Sequence, residues 1–453
     1  MKICKIWIKD WDQFKDIELD FTDPATGEPA DKICFIGSNG TGKSKLLELL
    51  DTFLSHNFLQ GIGLYHLVIF KIKFNNEHLY LLKYHEIATP LLFNSNFDEK
   101  QITEVYTQGI GFDRNVRLRN EFSRDETYSK LSELNSELYR LDINKSNIIF
   151  APIESNENTY IKVGDVPEAT LNEALSLFVH KKFYHKVSID NVSEFWTQLI
   201  FLLKQREQKY LLDQELDTNK SKPIEVFRNE FDLNNKKPLE ELSKVWNKIL
   251  KKSNLEFDYQ KAKIPVQLND NLHAYIKLLN SDKVIPYNLL STGIRNYIFR
   301  LGHIYSLYFN REIDSGFLLV DEPENSLFPD FLFDIIEIYQ DVCKDKRGVN
   351  NTQMFFATHS PIVASQFEKH ERIILDWQED GTVVSYKGQS PRGDDPTDIL
   401  ANDFNSRTMD DYGTSMFEEY KKLKLQFVKE KDADKKMKLA GEISKLGTEY
   451  NFS

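Results

Sequence analysis

The feature that constrains this chain most is a glycine-rich octapeptide, Gly37 to Ser44, that reads G-S-N-G-T-G-K-S. It follows the apolar run Ile33 to Ile36, which predicts a strand, and precedes a leucine-rich segment that predicts a helix. Such a loop points backbone N–H groups at phosphate oxygens, and the helix start adds its positive end. Lys43 would reach the β- and γ-phosphates and Ser44 would hold Mg²⁺. The pattern predicts a site for ATP or GTP with Mg²⁺, against the alternative of a glycine turn carrying a surface lysine.

Composition describes an ordinary globular chain. Of 453 residues, 41% are hydrophobic and 28% charged, and no stretch reaches the roughly 18 apolar residues that a membrane span needs. The beginning of the chain shows no signal-peptide pattern, so we expect a cytoplasmic protein without membrane contact. The net charge of −12 opposes a uniformly DNA-binding surface and leaves only local DNA contact open. The scattered Cys4, Cys34 and Cys343 predict buried thiols.

Pattern changes along the chain predict an α/β protein in four parts. Residues 1–160 form an N-terminal lobe in which alternating strand patterns make hairpins around the glycine loop, with an amphipathic helix at 124–141. Residues 161–254 are a lysine-rich helical insertion. Strand patterns resume in a second lobe, 255–380. Residues 381–453 form a mainly helical tail with a possible partner-docking surface.

Two further strand patterns end in groups that complete a nucleotide site. The run Gly316 to Val320 leads into Asp321, which would hold Mg²⁺, and Glu322, which would polarise the attacking water. The run at 354–357 ends near His359, which would contact the γ-phosphate or orient that water. Each piece alone has a plainer explanation, an acidic turn or a structural histidine. Their order after the glycine loop favours the catalytic interpretation.

The motifs L-S-T-G at 290–293, D-E-P-E-N-S-L-F-P at 321–329 and A-T-H-S-P at 357–361 carry a family resemblance. Together with the glycine loop they resemble ATP-binding-cassette ATPases of the SMC, RecF and OLD-like branch. The resemblance implies the fold of such an ATPase head, a P-loop sheet with an antiparallel β subdomain. It also implies a homodimer with two ATP molecules sandwiched between subunits, and leaves higher oligomers open.

In that family the signature serine and glycine, here Ser291 and Gly293, contact the ATP held by the opposite subunit. The loop Glu324 to Pro329 would communicate across the dimer. Two positions depart from the branch, which commonly has an acidic or amide residue at Ile294 and a histidine at Phe328. The family's Q-loop glutamine has no secure counterpart.

The predicted roles fall into three groups. The catalytic residues are Glu322 and His359, and the Mg²⁺ ligands are Ser44 and Asp321. The nucleotide-binding residues are Gly37, Ser38, Asn39, Gly40, Thr41, Gly42, Lys43, Ser44, Lys45, Ser291 and Gly293.

Asp394 and Asp395 in the tail could suggest a metal nuclease, but an acidic turn before a helix explains them more simply. We therefore expect an ATPase that is not itself a nuclease. The segments 6–21 and 395–407 resemble ATPases of bacterial anti-phage systems, above all PtuA of Septu, which works with an HNH nuclease, with AriA of PARIS as a competitor. The implied function is a sensor or regulator that controls a separate nuclease or toxic effector. The alternative is a DNA repair or recombination ATPase that clamps duplex DNA; a transporter cassette fits the helical insert poorly.

Overall fold

The structure is a computed structural model that describes most, but not all, of the chain. The described residues are 1–54, 67–74, 76–84, 91–93, 146–152, 184–187, 192–235, 237–258, 276–285, 289–311, 315–344, 348–450 and 452. The helix predicted at 124–141 lies outside them.

The strands are β1 (Lys2–Trp11), β2 (Phe14–Asp20), β3 (Lys32–Gly37), β4 (Leu67–Phe74), β5 (Glu77–Tyr84), β6 (Leu91–Phe93), β7 (Ser146–Ala151), β8 (Tyr184–Lys186), β9 (Leu255–Phe257), β10 (Ile276–Leu278), β11 (Ser315–Asp321), β12 (Asn351–Ala357), β13 (Arg372–Trp377) and β14 (Val383–Lys387). The α-helices are α1 (Lys43–Leu54), α2 (Val192–Glu215), α3 (Asp217–Lys220), α4 (Ile224–Asn234), α5 (Pro238–Leu250), α6 (Thr292–Arg311), α7 (Pro329–Leu332), α8 (Ile335–Val342), α9 (Pro361–Ala364), α10 (Pro396–Asn402), α11 (Asp411–Lys429) and α12 (Ala433–Tyr450). Short 3₁₀ turns span Lys251–Ser253 and Lys369–Glu371.

One large mixed sheet organises the molecule, in the order β6-β5-β4-β1-β2-β14-β13-β3-β12-β11-β7-β8. The strands from β13 to β8 run parallel, and β6, β5, β4, β1 and β2 are joined by antiparallel pairings. The parallel strands β3 and β11 are almost wholly buried because helices cover both sheet faces. This confirms the predicted α/β class with its antiparallel β subdomain, and the predicted hairpins β1–β2 and β4–β5 are present.

The hairpin β1–β2 does not lie beside the strand of the glycine loop, although it immediately precedes that strand in sequence. The hairpin β13–β14 separates them, since β13 pairs with β3 and β14 pairs with β2 through Val383 and Phe14. The sheet therefore extends past residue 380, and the C-terminal part becomes helical only from Pro396.

Helix α6 is held against helix α5 by hydrogen bonds from two large side chains. The buried Trp246 indole N–H of α5 donates to the Ile298 carbonyl at 2.9 Å. In return, the Tyr297 hydroxyl donates to the Val245 carbonyl at 2.8 Å. These contacts place the beginning of α6, where the predicted signature residues lie, on a rigid support.

The C-terminal part is tied to the sheet by a buried ion pair. The Arg372 guanidinium Nε lies 3.0 Å from Asp403 Oδ2, and both side chains are fully buried. Asp403 also accepts the backbone N–H groups of Gln389 and Ser390. Beyond it, α11 and α12 form a helical hairpin whose surface is largely exposed.

The described residues also bear on the cysteines and on membrane-spanning helices. Cys4, Cys34 and Cys343 are all buried free thiols, as predicted. Within the described ranges, no helix combines the length and the apolar character that crossing a bilayer demands.

Candidate nucleotide-binding site

The glycine loop connects the end of β3 to the start of α1 and wraps around Lys43. The Lys43 ammonium donates to the carbonyls of Gly37 and Ser38 at 2.8 and 3.0 Å. The Thr41 hydroxyl donates to Ser38 O at 2.9 Å. Ser38 and Asn39 are exposed, whereas Thr41 and Lys43 are buried. The loop thus has a solvent-facing rim and an internal lysine, as a phosphate cradle requires.

Gly42 has no room for a side chain. Its φ is +99°, a region that L-residues rarely adopt, and a Cβ there would lie 2.4 Å from the Phe14 ring. Gln13, next to Phe14, donates through Nε2 to the Gly40 carbonyl at 3.3 Å. The turn between β1 and β2 therefore supports the loop from behind.

Lys45 belongs to the same support. Its ammonium lies 2.8 Å from Asp12 Oδ2 and 3.1 Å from Gln13 Oε1. The sequence grouped Lys45 with the nucleotide-binding residues, and the structure places its side chain on the β1–β2 turn.

Strand register brings the acidic residues to the loop. Asp321 pairs with Ala357, and Ala357 pairs with Phe35, two residues before Gly37. Burial raises the Asp321 pKa, while the neighbouring Ser44 hydroxyl opposes that rise. The two predicted Mg²⁺ ligands, Ser44 and Asp321, are therefore neighbours.

Glu322 turns sharply out of β11. Its φ of +43° is unusual for a residue with a side chain and marks strain of the kind found at functional sites. Its N–H donates to the Ala357 carbonyl at 2.9 Å. This conformation places Glu322 Oε1 3.6 Å from His359 Nε2.

His359 faces both the lysine and the glutamate. Burial lowers its pKa, and the Lys43 charge lowers it further, while Glu322 raises it. Because the pKa lies below the usual 6.5, the imidazole is neutral at pH 7. A neutral ring can hydrogen-bond a phosphate oxygen or a water without carrying its own charge into the site.

Arg300 of α6 is a buried residue whose part in the site the sequence did not reveal. Its guanidinium donates to the carbonyls of Asp321 and Glu322 at 3.2 and 3.1 Å, and to Pro152 O at 2.6 Å. It holds the turn after β11 and the end of β7 in one arrangement. In the sequence, Arg300 is an arginine between apolar residues of a predicted helix, and this pattern does not indicate which groups it contacts.

The signature residues begin α6 and face the loop that follows β11. The Ser291 hydroxyl accepts the Ile294 N–H at 3.3 Å. Gly293 touches the backbone of Ser326 so closely that a Cβ would lie 1.9 Å from the Ser326 carbonyl oxygen. Arg300 lies seven residues beyond Gly293, about 10 Å further along the helix at 1.5 Å per residue. Ser291 and Gly293 thus contact α6 itself and the loop after β11, and none of the contacts described for them reaches the glycine loop of the same chain.

The two departures from the family pattern have different settings. Ile294 is 5% exposed and packs in the core beneath α6, so an apolar residue suits that position. Phe328 is 66% exposed at the surface of the loop. The position of the Q-loop stays open because the chain directly after Pro152 is outside the described residues.

The aromatic residues around the glycine loop differ in their exposure to solvent. Trp11 and Phe14 are buried in the core, so neither presents a face for a base. Trp377, at the end of β13, is 42% exposed, and a Cβ on Gly40 would meet its ring at 3.6 Å. Sequence reasoning missed Trp377 because only strand order brings β13 beside β3.

The residues present fit a magnesium nucleotide. Hydroxyl and carboxylate oxygens, as offered by Ser44 and Asp321, are ligands that Mg²⁺ prefers. Among the residues that the structure describes, the Lys43 ammonium donates only to neutral carbonyls, so its charge is available to an anion. Burial lowers the Lys43 pKa to about 8, which still leaves the ammonium charged at pH 7. The arrangement can hold a triphosphate and present a base to a water beside it.

Comparison with known proteins identifies the family. No curated protein matches the chain in sequence. Among solved structures, the SMC head domain from Thermotoga maritima aligns with a TM-score of 0.38 at 10% identity, covering 86% of this chain and 100% of that chain. The family model described as AAA ATPase domain matches residues 1–364, which is most of the sequence. The chain therefore belongs to the AAA ATPase domain family.

Proposed function

We propose that this protein binds and hydrolyses Mg²⁺-ATP as a head-to-tail homodimer and controls a separate effector in anti-phage defence. The observation that carries the ATPase proposal is the convergence of Lys43, Ser44, Asp321, Glu322 and His359 at the ends of three adjacent parallel strands, β3, β12 and β11. Lysine, hydroxyl, two carboxylates and imidazole in this arrangement are the groups that phosphoryl transfer to water uses.

Each group has a distinct part in the proposed reaction. When bound through Ser44 and Asp321, Mg²⁺ supplies positive charge next to the phosphates. Lys43 neutralises phosphate charge, and the loop amides orient the chain of phosphates. Glu322 accepts a proton from the attacking water as general base. His359 orients that water or donates a hydrogen bond to the terminal phosphate.

The surface around Ser291 supports the proposed dimer. Leu289, directly before the signature, is 71% exposed, and Phe328 in the neighbouring loop is 66% exposed. Two large apolar side chains beside an exposed serine make a surface that a second copy can cover, and aromatic residues are enriched in the buried centres of interfaces. Ser291 would then close over the ATP of the partner subunit.

The proposed role in defence is supported by the sequence resemblance. Asp395 is the N-cap of α10, where its side chain accepts the Thr397 N–H at 2.7 Å. Asp395 therefore has a structural role as a helix cap, and the proposal assigns nuclease chemistry to a separate HNH-type partner. The second candidate function is the duplex-DNA clamp. It rests on the same ATPase head and does not require that partner.

The decisive variant is Glu322→Gln, which keeps the shape of the side chain and removes the base. We expect ATP binding to persist while turnover falls about 10²- to 10⁴-fold. Glu337→Gln, an exposed residue of α8, is the matched control and should hydrolyse ATP like the parent. Parent-like turnover of Glu322→Gln would refute the assigned role. Sizing with ATP should show the Glu322→Gln variant as a dimer.

Purification of the same variant from its native operon separates the two cellular roles. A co-eluting nuclease supports effector control. ATP-dependent binding of duplex DNA by this chain alone favours the clamp.

A further inference from the structure

A buried carboxylate next to the proposed catalytic residues has no part in the chemistry described so far. Glu324 follows Glu322 by two residues and opens the loop that leads to α7. One of its oxygens, Oε1, accepts the Thr358 hydroxyl at 2.6 Å and the His359 backbone N–H at 2.7 Å. Glu324 thus reaches across from the turn after β11 to the turn after β12.

We infer that Glu324 is a positioning residue that sets the distance between His359 and Glu322 by holding the His359 backbone. This inference rests on the proposed ATPase function and assigns a role in it that the sequence motifs did not assign.

The turn at the end of β12 explains how one carboxylate can position His359. Thr358 and His359 occupy the turn where β12 ends, and the Thr358 hydroxyl also accepts the Ser360 N–H at 2.9 Å. The two short hydrogen bonds that Glu324 Oε1 accepts fix both the turn and the direction of the imidazole. The His359 ring then lies 3.6 Å from Glu322, which is too long for a hydrogen bond but leaves little room for misplacement.

Packing alone does not account for a charged group at this place. Glu324 Oε2 is buried without a hydrogen-bond partner among the described residues. Burial raises the Glu324 pKa, and the bonds from Thr358 and His359 counter that rise. An unpartnered buried polar atom is costly, and such atoms cluster at functional sites.

Glu324 also lies on a continuous line of contacts through the loop. Two residues later, Ser326 has a φ of +61° and presents its carbonyl to Gly293 of the signature. In a head-to-tail dimer the signature would face the partner's ATP, whereas His359 serves the ATP of its own chain. The path Gly293, Ser326, Glu324, His359 therefore joins the two sites within one polypeptide.

The test compares Glu324→Ala, which removes the acceptor, with Glu324→Gln, which keeps it. No hydrogen bond among the described residues joins Glu324 to Lys43, Ser44 or Asp321. We therefore expect Glu324→Ala to keep KM for ATP within about twofold of the parent value. Its kcat should fall about 10- to 100-fold, the usual effect of misplacing a group by about 1 Å. Glu324→Gln should retain kcat within about threefold.

A double variant makes the positioning role specific. If Glu324 acts through His359, then Glu324→Ala should have little further effect in a His359→Ala background. Additive losses would overturn the inference, as would parent-like turnover of Glu324→Ala, a matching loss in Glu324→Gln, or loss of ATP binding. Should Glu324→Ala fail to fold, Glu324→Asp withdraws the carboxylate by one methylene and should lower kcat in the same way.

A readout without hydrolysis separates this inference from the proposed function. The groups that face the His359 ring are Lys43 from the glycine loop and Glu322 from the turn after β11. Histidine NMR titration should show the His359 pKa below 6.5 in the parent and closer to 6.5 in Glu324→Ala, because the released ring is better solvated. An unchanged titration would overturn the positioning role even in a protein without ATPase activity, whereas inactivity of the parent would overturn only the proposed function.

Discussion

Substitution of Gly293 by alanine tests the link between the signature and the loop after β11. The added Cβ would lie 1.9 Å from the Ser326 carbonyl oxygen and 2.5 Å from its carbonyl carbon. Real Cβ atoms essentially never approach closer than 3.0 Å, so helix and loop must separate by at least 1.1 Å, the difference between 3.0 and 1.9. The obstacle is backbone, which cannot rotate away as a flexible side chain can.

The expected effect on stability is modest and the effect on turnover large. Overpacking of this kind costs about 1–3 kcal/mol, partly offset by the higher helix propensity of alanine. A displacement of about 1 Å at a catalytic arrangement lowers turnover by about 10²-fold. Binding of ATP by the single chain should persist, since Lys43 and Ser44 lie on the glycine loop and do not contact Gly293.

The assay is steady-state ATP hydrolysis together with ATP affinity, measured for Gly293→Ala and for Gly441→Ala. Gly441 lies in the exposed helix α12, where an added Cβ meets nothing within 4 Å. Gly441→Ala should therefore match the parent in turnover and gain up to about 1 kcal/mol in helix stability. The reasoning is refuted if Gly293→Ala hydrolyses ATP as fast as Gly441→Ala.

Two further predictions concern charges that the fold buries. Burial lowers the Lys43 pKa to about 8, so the side chain is charged below that pH and loses its charge above it. ATP affinity measured by calorimetry should therefore fall between pH 7 and pH 9, and Lys43→Arg, whose charge persists, should show a flatter profile; an unchanged affinity in the parent would contradict this. Asp403→Ala leaves the Arg372 guanidinium buried without its partner and should cost about 3–5 kcal/mol in urea unfolding. The pair Arg372→Met with Asp403→Leu should recover part of that loss, and equal stabilities of Asp403→Ala and the parent would disprove the account.

The motifs assigned to the proposed chemistry could be identified in the sequence because each is local. The glycine loop needs only a strand before it and a helix after it, and the pair Asp321-Glu322 needs only a buried strand that ends there. Hydrophobic periodicity identifies such strands without knowledge of their neighbours. The same holds for Asp395, whose place before Pro396 predicts a helix cap.

The sequence alone thus determined the class of fold and the groups proposed to bind the nucleotide, since strand, turn and helix patterns depend on adjacent residues. Only the tertiary structure decided which distant residues support them. Arg300 reaches Pro152 across 148 positions, and Trp377 comes beside Gly40 because the hairpin β13–β14 inserts between β2 and β3. The role inferred for Glu324 likewise depends on a partner 35 positions away. Strand order and side-chain packing depend on interactions throughout the folded chain, so local sequence patterns do not predict them.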